Sequence, residues 1–177
     1  MSTPPPLPLA LFLDPIGEQL LAAIAKHPND AATRAVFADW LEERGLTAAA
    51  KLVRVQLAIA ELDADDPRLA SLSRSLRLLA ERTPRELRWV IARAPIENCD
   101  VRFELQCPKR WDALAATETA GVRFCAACKS EVRYAVTVAE ARKLARTGAC
   151  VAVDPAQPRA AHDLEPVALV GRVVARD

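Results

Sequence analysis

The stretch "FCAACKSEVRY", Phe124–Tyr134, sets two cysteines two residues apart, with a short run of alternating apolar and polar residues after them. Such a pattern favours a tight turn between two strands rather than a helix. The chain holds only five cysteines, so the chemistry of this pair governs most of what can be said about function.

Working outward, the period of two continues on both sides. "DVRFELQC" (Asp100–Cys107) alternates Val101, Phe103 and Leu105 with Arg102, Glu104 and Gln106, as a half-buried strand does. "GVRFC" and "EVRYAV" read as two more strands about the cysteine pair. Thr137 and Glu140 form a capping box that opens a helix with Val138, Ala141, Leu144 and Ala145 inward. Gly148 ends it, and "CVAV" (Cys150–Val153) returns as a strand. The apolar run Val167–Val174 adds an edge strand or a hairpin.

Upstream of Pro95 the period becomes helical. Asp14 caps and Pro15 starts a helix with Ile16, Leu20, Ala23, Ile24 and His27 on one side. Asp30 starts a second, which stops at Gly45, with the stripe Val36, Phe37, Trp40 and Leu41. Thr47 is expected to cap a third, with Leu52, Val55, Ile59 and Leu62 inward. Asp66 and Pro67 launch a fourth with Leu69, Leu72, Leu76 and Leu79. Thr83, Pro84 and Glu86 suggest a capping box for a fifth, with Leu87, Val90 and Ile91. Five helices with short connections make an antiparallel bundle or a stack of helical hairpins. The expected fold class is α+β: an extended proline-rich tail at 1–13, a helical unit at 14–95 and a small cysteine-bearing α+β unit at 96–177.

Composition narrows the function classes. A length of 177 residues with 51% hydrophobic and 27% charged residues describes a folded protein. The net charge of +1 gives no basic excess for neutralising many phosphates. No apolar run reaches the roughly 18 to 20 residues that span a bilayer, so no membrane role is expected. The first residues lack the basic start of a secretory signal. The expected setting is the reducing cytoplasm, where structural disulfides are uncommon.

Cys107, Cys125, Cys128 and Cys150 come from three pieces of chain, and four thiolates suit tetrahedral zinc at about 2.3 Å. A small unit gains much from such a staple. Burial as ordinary core cysteines is the competing reading, and Cys99, outside the strand rhythm, is read as structural. Thiol redox chemistry needs a lowered thiol pKa, most simply from a following helix, and "KSEVRYAV" is strand-like. An iron–sulfur cluster also needs four thiolates.

Other groups are weaker pointers. Asp39, Glu42 and Glu43 read as a solvated helix face, and neither His27 nor His162 has a nucleophile in a motif. No glycine-rich phosphate loop exists. The one basic tract runs from Arg68 to Arg93, where Arg74, Arg77, Arg85 and Arg88 can form a stripe toward an acidic partner or RNA; a solvated surface is the plainer reading.

"FADWLEERG" (Phe37–Gly45), preceded by "LLAAIAKHPNDAATR" (Leu20–Arg34), resembles the bacterial repeat-companion domain, a short helical module found with repeat and other interaction domains. The likeness covers roughly residues 17–60. "CPKRWDAL", "VRFCAAC" and "GACVAV" resemble a cysteine-bearing segment that follows this module. Relatives often carry a further cysteine after the aromatic residue matching Tyr134; Ala135 stands here, which favours four metal-facing sulfurs over five. The resemblance implies an accessory or interaction role in the cytoplasm and brings no established chemistry. The expectation is therefore a non-enzymatic protein that binds another protein and holds a structural zinc. The alternatives are a nucleic-acid-binding zinc-ribbon protein, and a thiol redox or iron–sulfur protein using the CxxC pair.

Overall fold

The computed structural model describes residues 14–99 and 109–164. The tail at 1–13, the strand expected at Val101–Leu105, Cys107 and the run Val167–Val174 lie outside the described residues. Those residues form six α-helices and one five-stranded sheet, a mixed α+β fold. Among them, no helix is long and apolar enough to cross a membrane.

The helices are α1 (Pro15–Lys26), α2 (Ala31–Glu43), α3 (Thr47–Ala60), α4 (Leu69–Arg82) and α5 (Arg85–Ile91). Asp14 and Asp30 cap α1 and α2 through their carboxylates, at 2.9 Å from Ile16 N and 3.1 Å from Ala32 N. Gly45 takes φ +77°, the left-handed turn that releases the chain after α2.

Two caps differ from expectation. α3 starts from Leu46 with no side-chain cap, and Thr47 is already helical. The hydroxyl of Thr83 donates to Leu79 O at 2.9 Å and so closes α4; α5 starts from Pro84 without a capping box. The buried faces also shift. Ile16 and Val36 are exposed, while α3 buries Ala49, Ala50, Leu52, Val53 and Gln56. Small alanines let helices approach closely, and Ala49 and Ala50 are part of the face that α3 buries.

Trp40 organises the first two helices. Its indole stacks on Phe37 with ring centroids 5.6 Å apart, and the Arg44 guanidinium lies 4.2 Å from its ring centre. Arg44 in turn pairs with Asp14. Gly17 of α1 lies against the indole so closely that a Cβ there would collide with it.

The sheet consists of β1 (Ile96–Glu97), β2 (Ala115–Ala116), β3 (Val122–Cys125), β4 (Ser130–Ala135) and β5 (Cys150–Val153), in the order β1-β5-β4-β3-β2. β4 and β5 are parallel, and the other pairs are antiparallel. α6 (Val138–Ala145) carries the chain between the parallel strands and packs on the face bearing Ala135, Val151 and Val153. Thr137 caps it, with Glu140 N donating to the hydroxyl at 3.1 Å and Val136 N donating to the Glu140 carboxylate at 2.8 Å. The opposite face meets Trp89, Trp111 and Leu114.

Two buried ion pairs join helices to sheet. Arg34 of α2 pairs with Asp112, in the 3-10 turn Trp111–Ala113, and donates Nε to Pro28 O at 2.8 Å. Arg88 of α5 spans both oxygens of Asp154 at 2.9 and 3.0 Å and donates to Ala80 O and Thr83 O. Ala156, just past β5, packs into the helical core.

Candidate functional site

Strand register assembles the cysteines. Residues opposite one another on paired strands share a face, as do alternate residues along a strand. Cys125 faces Ser130, and Val132 faces Cys150, so Cys125, Val132, Tyr134 and Cys150 lie on one side of the sheet. The turn Ala126–Lys129 joins β3 to β4, with Lys129 at φ +55°. It brings Cys128, half-buried, back onto the cluster that holds Cys125 and Cys150.

Cys99 joins the same cluster. β1 pairs with β5 through Glu97 and Val151, and Asn98 then turns left-handed at φ +54°. The Asn98 amide donates to Ala145 O at 3.0 Å and Ala149 O at 2.9 Å, which clamps the chain beside the start of β5. Sequence rhythm hid this residue because the left-handed step breaks the alternation. Cys99, Cys125, Cys128 and Cys150 thus share one apolar cluster at one end of the sheet. Among the described residues, no three His, Cys, Asp or Glu side chains gather closely enough to hold one metal ion. Cys107, the remaining thiol of the expected ligand set, lies outside the described residues.

The cluster is walled by aromatics. Tyr134 meets Trp111 at 5.1 Å and Trp89 edge-on at 6.3 Å between ring centroids. The Trp111 indole N–H donates to Trp89 O at 2.8 Å, and the Arg123 guanidinium lies 4.8 Å from the Trp111 ring centre. Burial, together with the Asp154 carboxylate beside it, pushes the Tyr134 hydroxyl far above its ordinary pKa. A strand, β4, follows Cys128, so no helix N-terminus lies immediately after the pair to favour a thiolate.

The arginine tract is divided by the fold. Arg74 and Arg77 line a cleft beside α4, and Arg85 lies 5.0 Å from the ring centre of Trp89. Arg88 points inward to Asp154 and is not part of an exposed stripe. The acidic residues of α2 are engaged locally, as Arg54 bridges Asp39 at 2.7 Å and Glu42 at 2.6 Å. His27 forms the C-terminal cap of α1, and His162 sits in a turn at φ +60°.

No protein-family model, curated protein or solved structure matches this chain. The geometry itself therefore carries the functional reading.

Proposed function

We propose that this is a non-enzymatic accessory protein that docks another protein, with its C-terminal sheet fastened by a structural zinc ion. The observation that carries the docking is an apolar surface on the helices. Ile16 and Val36, 57% and 55% exposed, flank a shallow groove between α1 and α2 that also holds Leu20 and Ala23. Aliphatic side chains held in water at one site gain free energy when a partner covers them. The likeness of Phe37–Gly45 to the repeat-companion module points the same way. The buried carboxylates, Asp112 and Asp154, each pair with an arginine.

Replacing Ile16→Asp and Val36→Asp together tests the docking. Neither side chain is in the core, so the thermal melt stays where it is, and a partner that co-purifies with the wild type is lost. A partner retained equally by the variant overturns docking at this groove, as does a wild-type chain that retains none from its own cell extract.

In the zinc reading, Cys107, Cys125, Cys128 and Cys150 are the ligands and the β3–β4 turn is a ribbon-like knuckle. Its support is that Cys125, Cys128 and Cys150 belong to one apolar cluster at one end of the sheet; bringing their sulfurs onto one ion requires them to move closer together than they stand here. Protein purified under reducing conditions then carries about one zinc per chain, and chelation lowers its melting temperature; less than about 0.2 equivalents of zinc or iron overturns it. Zinc is expected to survive Cys99→Ser and to be lost in Cys107→Ser. The reverse result assigns the fourth ligand to Cys99.

A further inference from the structure

A second site lies away from the thiols. A cleft of about 720 Å³ opens between α3–α4 and the segments around β1 and β5. Among the described residues five arginines line it: Arg74 and Arg77 from α4, Arg93 from the segment before β1, Arg110 from its bridge to Pro95, and Arg159 from the chain after β5. Among the described residues the one carboxylate in its wall, Asp154, is already held by Arg88.

The charges do not balance. Arg77 is paired with Glu81, and Arg159 is held by Glu97 at 2.6 Å and Asp163 at 2.7 Å. Arg93 reaches Asp112 only at 3.7 Å and shares it with Arg34. Among the described residues, Arg74 and Arg110 have no carboxylate partner. A cleft lined by one sign of charge concentrates the opposite sign, and the guanidinium fork matches phosphate oxygens.

A polar group in the floor is also unfilled. Gln56 of α3 is only 4% exposed and lines the cleft, and its Oε1 accepts no hydrogen bond. An unpaired buried acceptor costs free energy until a donor reaches it. The remaining wall includes Ile59, Leu76 and Val153, which suit an apolar body. The volume lies within the range of small-molecule sites, roughly 300–1,000 Å³.

We infer that this cleft binds a phosphorylated small molecule of nucleotide size. Its phosphate, close to dianionic at neutral pH, meets Arg74 and Arg110. Its body rests on Ile59, Leu76 and Val153, and an N–H or O–H donor reaches Gln56 Oε1. The inference is independent of the zinc and docking readings, because none of its residues belongs to either site.

Calorimetric titration of the full chain with AMP, ATP, adenosine, inorganic phosphate and a uridine homopolymer tests it. AMP or ATP is expected to bind at one site, adenosine at least roughly tenfold more weakly, since it lacks the charge-assisted contacts. Arg74→Gln with Arg110→Gln should weaken the nucleotide by a similar roughly tenfold factor and leave the melting temperature of the free chain unchanged. Arg82→Gln with Arg146→Gln, exposed and outside the cleft, should change neither. Equal losses in both double variants, binding of the homopolymer but of no mononucleotide, or no binding of any phosphate compound overturns the inference. Inorganic phosphate binding as tightly as AMP also overturns it, since the body would then contribute nothing.

Discussion

Trp40 shows how one side chain sets the distance between two helices. Its indole occupies the space that any Cβ at Gly17 would need, so that position is confined to glycine by contact rather than by backbone conformation. Gly17→Ala is expected to cost about 1–3 kcal/mol, because the indole must leave its place between Phe37 and Arg44. Urea unfolding of the variant checks this, and an unchanged midpoint refutes it. Tyr134 makes the opposite case. Its hydroxyl is buried beside the Asp154 carboxylate, so Tyr134→Phe removes both the cost of burying that hydroxyl and its interaction with Asp154, while keeping the contacts with Trp89 and Trp111. The two changes oppose each other, so the unfolding free energy should move by no more than about 1 kcal/mol, and a larger loss in urea unfolding refutes this. Neither effect is legible in sequence, where Gly17 looks like a helix weakness and Tyr134 like an ordinary strand residue.

Among the elements, capping separates what sequence reveals from what packing decides. Asp14, Asp30 and Thr137 act as read, because an acceptor side chain just before a helical run has few other uses. Thr47 and Thr83 do not: one is absorbed into its helix, and the other closes the helix before it. The strands about the cysteines were readable from their alternation, whereas the rotated face of α3 depended on which neighbour its alanines touch. The caps also set a pH dependence. The Thr33 hydroxyl holds the Asp30 carboxyl below its usual value, Arg68 does the same for Asp66, and Arg159 for Asp163. A carboxyl depressed in the folded state stabilises fully above its unfolded pKa of about 3.9 and loses that contribution as pH falls through the folded value. Burial instead raises Asp112, whose contribution runs the other way and fades as pH rises through its folded value. The urea midpoint should therefore fall as pH drops below about 4, and Asp30→Asn, which still caps without titrating, should shallow that fall.

For the molecule as a whole, the joints between helices and sheet carry the largest single-residue risks. Arg88 satisfies Asp154, Ala80 and Thr83 together. Asp154→Ala leaves that guanidinium buried without its counter-charge, at an expected cost of about 3–5 kcal/mol. Arg88→Met combined with Asp154→Leu should cost clearly less than the sum of the two single changes, which a double-mutant cycle in urea measures. The helical and sheet halves were visible as a change of period near Pro95. Long-range pairs such as Arg34–Asp112, and the cleft assembled from Arg74, Arg110 and Arg159, were not, since no local pattern brings those residues together. The position of β1 at the far edge has its own outcome for a chain being synthesised. Among the described residues β1 pairs with β5, more than fifty residues later, whereas each early helix meets its sequence neighbour. The helices can therefore condense while the ribosome is still adding the sheet. Cys99 and the β3–β4 thiols then emerge into the cell before their sheet can close, so oxidants and competing metals have their best access to the nascent chain.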